Sequence, residues 1–144
     1  MMPSFLPPVL SIAHHLADQF PHALQRMEKT RDVSELLTFF SDDAVLSRSE
    51  GGHKQSGQAG VQKFWQEYLH CFAEVRSEFT HLHMSARALI LEWVSVGRHA
   101  DGQPLSYCGV SILAFNPDGQ ITEFRTYYDS TSLTGTNPAC CSNV

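Results

Sequence analysis

At 144 residues, with 42% hydrophobic and 17% charged residues, the chain has the size and composition of one globular domain with an ordinary core. Its formal charge is −5 and its 10 Lys/Arg are scattered, so there is no basic stripe to neutralise phosphates and nucleic acid is not an expected partner. The longest apolar runs, such as ALILEWV (88–94), are too short to span a bilayer, and MMPSFLPPVL lacks the basic flank of a secretory signal, so a cytoplasmic protein without membrane association is expected.

In chain order, Ile12, Leu16, Phe20, Leu24 and Met27 recur at helical steps and predict a first helix, which Pro21 should kink or divide. DVSELLTFF predicts a second, with Asp32 as its cap, Glu35 reaching back in a capping box, and an end near SDD (41–43). A short strand AVLSR, a glycine-rich loop SEGGHKQSGQAG and a third helix follow. Val61, Phe64, Trp65, Tyr68, Leu69, Phe72 and Val75 give that helix an apolar stripe wide enough to pack on a sheet.

From Arg76 the period changes to two, through RSEFTHLHMS, ALILEWVSVGR, PLSYCGVSILAF and QITEFRTYYD. The Asp-Gly pairs in ADGQ (100–103) and NPDG (116–119) suit hairpin turns. Helices followed by an antiparallel meander predict an α+β layer, with TGTNPACCSNV as a loose tail. Cys71, Cys108, Cys140 and Cys141 show no CxxC spacing. They signal neither a zinc site nor a disulfide framework, and neither metal nor cofactor is expected.

The segments FFSDDAV (39–45), SGQAGVQKFWQEY (56–68), EWVSVGRHADGQPLSYCGVSILAF (92–115) and DGQITEFRTYYD (118–129) together resemble the nuclear-transport-factor-2-like superfamily, and within it the SnoaL-like branch. The resemblance spans residues 8–134 as a single domain, with 135–144 as the tail. It implies a cone-shaped, curved, mainly antiparallel sheet with three N-terminal helices on its concave face, an apolar pocket and a homodimer through the sheet. It does not fix a reaction, because that fold hosts cyclases, isomerases, epoxide hydrolases, dehydratases and non-catalytic binders.

In EFRTYYDS, alternation puts Phe124, Thr126 and Tyr128 on one face and Arg125, Tyr127 and Asp129 on the other, and the resemblance turns the first set toward the pocket. Limonene-type epoxide hydrolases and SnoaL-type cyclases carry an acid on this strand, where Thr126 stands here. The Arg-x-Asp pair of those hydrolases is matched by Trp93 and Ser95. A hydroxyl cannot replace a carboxylate base, so epoxide hydrolysis by that route is not expected.

The resemblance also turns Leu46 and Arg48 inward. An inward guanidinium could hold a carboxylate, enolate or phenolate; alternatively Arg48 reaches solvent or pairs with Asp42, Asp43 or Glu50. Tyr107 and Tyr128 fall on pocket-facing parities, either as donors to an oxyanion or as core phenols bonded to backbone. His14 and His15 point about 100° apart on the first helix, so at most one, taken here as His15, faces the cone as a general base. The expected catalytic set is therefore Arg48, Tyr107, Tyr128 and His15. The expected substrate contacts are Trp93, Ser95, Phe124, Thr126, Trp65 and Tyr68, with Trp93 equally readable as a core aromatic. His81 and His83 share a strand face, as two metal ligands lacking a third or as a solvated or dimer-facing pair. A strand bulge near Gly97 or Gly109 would reverse these parities.

The readings that follow are an isomerase or cyclase acting on a small hydrophobic carbonyl compound, a non-catalytic binder of an apolar ligand, and a dimeric interaction module using the outer sheet face.

Overall fold

The structure is a computed structural model that describes residues 8–48 and 54–129. Helix α1 spans Pro8–Thr30, the short α2 Ser34–Leu37 and α3 Gly57–His70. The strands are β1 (Phe40–Arg48), β2 (Lys54–Ser56), β3 (Phe72–Met84), β4 (Ala88–His99), β5 (Pro104–Phe115) and β6 (Ile121–Tyr128). They form one curved, unclosed six-stranded sheet in the order β2-β1-β6-β5-β4-β3, antiparallel except for the β1–β6 pair. This is the expected α+β cone. The loose tail expected over 135–144 lies outside the described residues.

The apolar stripe of α1 explains its burial: Ala13, Leu16, Phe20, Ala23, Leu24 and Met27 are all buried against the sheet. Pro21 does not divide the helix, which runs unbroken to Thr30. Arg31 ends it in the left-handed region at φ 65°, with its N–H on the Met27 carbonyl at 2.7 Å. The Arg31 guanidinium then donates to the carbonyls of Leu69 and Phe72 at 2.6 and 3.0 Å, which fastens the end of α1 to the α3–β3 corner.

Two helix ends differ from the sequence reading, and the segment expected as a loop over 49–60 holds the short strand β2. The capping box does not form: Asp32 accepts from the Ser34 N–H at 2.9 Å, but Glu35 forms a two-pronged ion pair with Arg26 at 2.9 and 2.6 Å. With only that turn to hold it, α2 lasts four residues and the chain is already strand at Phe40. Helix α3 stops at His70, so Phe72 and Val75 belong to β3, where both remain buried.

β4 and β5 pair without interruption from Ala88↔Ala114 to Arg98↔Pro104, so the parity set by Gly97 and Gly109 holds. The bulges fall elsewhere, two of them in β3 where Ala73 and Thr80 are the extra residues. Each bends its strand, and the second reverses the side-chain sense beyond it. His81 and His83 therefore join Glu92 on the outer face, with His83 Nε2 2.8 Å from its carboxylate.

Candidate functional site

The inner faces of the strands and the apolar faces of α1 and α3 leave a cavity in the concave side. Its wall takes Phe20 and Leu24 from α1, Phe64, Trp65 and Tyr68 from α3, Arg48 from β1, and alternate residues of β3–β6. About 50 Å³ is open to the centres of water molecules, several times the roughly 10–15 Å³ that one water needs, so a few waters or one small ring can enter.

Of the residues expected at the site, Arg48, Trp65, Tyr68, Trp93, Ser95, Tyr107, Phe124, Thr126 and Tyr128 all line this cavity. His15 does not. It lies with His14 on the exposed side of α1, because the buried stripe runs through Ala13 and Leu16 on either side of the pair. Neither histidine can reach the cavity as its base. Glu92 and Arg125 face outward, as alternation requires, and among the described residues no group of three potential metal ligands is assembled.

Arg48 is half-buried, its guanidinium carbon 4.4 Å from the Phe64 ring centroid and one nitrogen 3.5 Å from the Phe64 carbonyl. That distance is within the range of a cation–π contact. Among the described residues no carboxylate pairs with it, so neither Asp42 nor Asp43 neutralises it; Glu50, the other expected partner, lies outside the described residues. The Trp65 indole N–H, buried to 2% exposure, has no acceptor among the described residues either. An apolar wall with a guanidinium that no carboxylate pairs and an indole N–H without an acceptor, both among the described residues, is set up for a ligand bearing an oxygen.

Two hydroxyl pairs add direction to this wall. The Trp93 N–H donates to Ser111 Oγ at 2.9 Å, and Ser111 Oγ lies 2.9 Å from Thr126 Oγ1. An indole N–H can only donate, so this chain starts from a donor. On the opposite side, Ser95 Oγ lies 2.6 Å from Ser77 Oγ, which donates at 2.6 Å to the carboxylate of Glu28. Tyr107 and Tyr128 pack edge to face between β5 and β6, and Tyr107 does the same with Trp93.

Glu28 was not anticipated. It is 5% exposed, on the last turns of α1, and accepts from the Tyr68 hydroxyl (2.6 Å), the Ser77 hydroxyl (2.6 Å) and the Ser77 N–H (2.8 Å). Burial raises its pKa above the ordinary carboxylate value, against the lowering effect of those three hydrogen bonds. Burial, helped by the negative potential of Tyr107 and Glu28, holds the Tyr68 phenol well above its ordinary value. A signal for Glu28 exists in the sequence: Phe20, Leu24 and Glu28 stand at successive steps of four, so the acid extends the apolar stripe.

Solved structures share this architecture. An NTF2-like protein from Anabaena variabilis matches with a TM-score of 0.75 over 94% of this chain and 99% of its own, at 15% identity. The epoxide hydrolase/cyclase-like enzyme SalBIII, with a role in pyran ring formation in the polyether salinomycin, matches at 0.73 over 90% and 100% with 14% identity. A putative isomerase from Bacillus subtilis matches at 0.69 over 86% and 91% with 17% identity. The fold is thus the cone of NTF2-like proteins. No curated protein matches the chain in sequence. The family model for the SnoaL-like domain matches residues 17–124, and the chain belongs to that family.

Proposed function

We propose that this SnoaL-like domain is an acid–base enzyme of isomerase or cyclase type, acting on a small hydrophobic carbonyl compound held in the cone. The observation that carries this reading is Arg48, a guanidinium in an aromatic cavity without a partner carboxylate among the described residues. Such a group stabilises an enolate oxygen more strongly in a dry site than in water. The Trp65 N–H, without an acceptor among the described residues, and the donor-started Ser111–Thr126 pair favour the same ligand chemistry.

The test is to incubate the protein with small cyclic ketones in heavy water and follow α-hydrogen exchange by NMR. Protein-dependent exchange in at least one ketone is expected. If none exchanges while ligands still bind, the domain is a binder, a reading that the hydroxyl of Thr126 in place of the family acid favours.

The outer sheet face supports a second copy of this chain as partner. Val94, 37% exposed, and the half-buried Val96, Val110 and Ile112 form an apolar centre there, with Tyr127, Glu92 and Arg125 around it. Sedimentation velocity should show a dimer, and Val94→Asp should release the monomer; a wild type that sediments as a monomer removes the dimer. A reducing, cytoplasmic setting fits the exposed thiol of Cys108. Among the described residues no helix is long and apolar enough to cross a membrane.

A further inference from the structure

The hydrogen bonds around Glu28 form two paths that meet on one carboxylate oxygen. One is the single step from Tyr68 Oη to Oε2 at 2.6 Å. The other runs from Ser95 Oγ to Ser77 Oγ to Oε2, each step also 2.6 Å. Tyr68, Ser77 and Ser95 all line the cavity, and Glu28 lies behind them. Ser77 commits its proton to Glu28, so Ser95 donates to Ser77. With the carboxylate ionised, the oxygens of Tyr68 and Ser95 meet the cavity as acceptors.

Protonation reverses this. A proton on Oε2 leaves room there for fewer donors, and one path must turn its hydroxyl proton toward the cavity. A buried Glu that only tied α1 to β3 would need no such ambivalence, since a glutamine could accept from the Ser77 N–H equally well.

We propose that Glu28 is the proton acceptor and donor of the cavity, exchanging its proton with a bound ligand through the hydroxyls of Tyr68 and the Ser77–Ser95 pair. The inference rests on the acid–base reading of the same cavity and names the group that moves the proton. In the step, a substrate C–H bond breaks, its electron pair remains as the enolate, and the proton joins Tyr68 or Ser95 Oγ. That hydroxyl releases its own proton along the path, and Glu28 becomes the neutral acid. Reverse transfer to a different carbon completes an isomerisation with no change of oxidation state. The two movements at Tyr68 are concerted, because its phenolate is disfavoured by burial. Glu28 is accordingly a positioning and proton-holding residue behind the hydroxyls that touch substrate.

The groups facing Glu28 are Tyr68 from α3, Ser77 from β3 and, beyond it, Ser95 from β4; Tyr107 of β5 acts on Tyr68. Arg31, just past the end of α1, is engaged by the Leu69 and Phe72 carbonyls. A second negative charge in the cavity would therefore be relieved by protonating Glu28.

Benzoate, an apolar ring with a carboxylate that stays ionised near neutral pH, serves as the probe. Calorimetry in buffers of different ionisation enthalpy counts protons taken up on binding. Glu28 is protonated before binding at low pH, so uptake is expected to be absent there and to approach one proton above its own titration. Over that range the wild-type Kd rises about tenfold per pH unit. In Glu28→Gln the uptake vanishes and Kd loses this pH dependence. Equal uptake in both proteins overturns the inference while leaving the cavity as a binding site. Failure of the wild type to bind benzoate removes the anion-holding cavity and the inference together.

If the variant does not fold, carbon NMR of the glutamate carboxyls in the wild type decides. A Glu28 carboxyl that moves toward its protonated shift on adding benzoate supports the proposal, and one that does not move overturns it.

Discussion

Gly97→Ala should leave little folded protein. A Cβ at Gly97 would stand 2.1 Å from the Glu74 carbonyl oxygen and 2.9 Å from the Val75 Cα, both backbone atoms that cannot swing aside. Overpacking a tight interior costs ~1–3 kcal/mol when side chains can adjust. Here the clashing atoms are β3 backbone beside the Ala73 bulge and the adjustment must come from the sheet, so the loss belongs at or beyond the upper end of that range. Urea denaturation followed by circular dichroism checks it, and a midpoint within error of the wild type would show that β3 does not sit this close to β4. Gly109 is nearly as confined, with the Tyr127 carbonyl oxygen 2.3 Å and the Trp93 ring 2.6 Å from its missing Cβ.

Arg48→Ala should weaken benzoate binding by about 10–150-fold, the range for a lost hydrogen bond to a charged group. The side chain packs on the Phe64 ring, and among the described residues no carboxylate pairs with it, which leaves its charge to a ligand. Arg48→Lys should restore only part of the affinity, because an ammonium lacks the planar fork that meets a carboxylate with two parallel bonds and stacks on a ring. Calorimetry at one pH is sufficient. Unchanged affinity in Arg48→Ala would place the anion elsewhere and remove the observation on which the proposed reaction stands.

Much of the site was legible because strand alternation survived where it mattered. Phe124, Thr126 and Tyr128 share the cavity face, as do Trp93 and Ser95, since β4 and β5 pair without a bulge. The less legible features involve competition between distant groups. Glu35 had a local partner available in the capping box, but Arg26 of α1 provides a charged one. Phe72 and Val75 fit a helical stripe and a strand face equally, and pairing with β4 decides for the strand. His14 and His15 carry the neutral-pH chemistry expected of a base, yet their neighbours Ala13 and Leu16 take the buried side. Glu28 stands among Arg26, Lys29 and Arg31 and reads as part of a charged helix end, although its step of four from Leu24 continues the apolar stripe. Its hydroxyl partners lie on α3 and β3, and no local pattern announces a contact of that kind.

The parallel pairing of β1 with β6 has a consequence for how the molecule is made. Residues such as Arg48 and Thr126 are neighbours across that ladder although they lie roughly eighty positions apart in the chain, and closing so long a loop is slow compared with forming a hairpin. During synthesis α1, β1 and α3 emerge from the ribosome well before the strand that joins them to the meander. Until β6 arrives, β1 has only the three-residue β2 beside it, and the aromatic wall that Phe124 completes is open to water. The nascent chain therefore carries an exposed apolar face for most of its elongation, and the wall closes only after β6 has emerged.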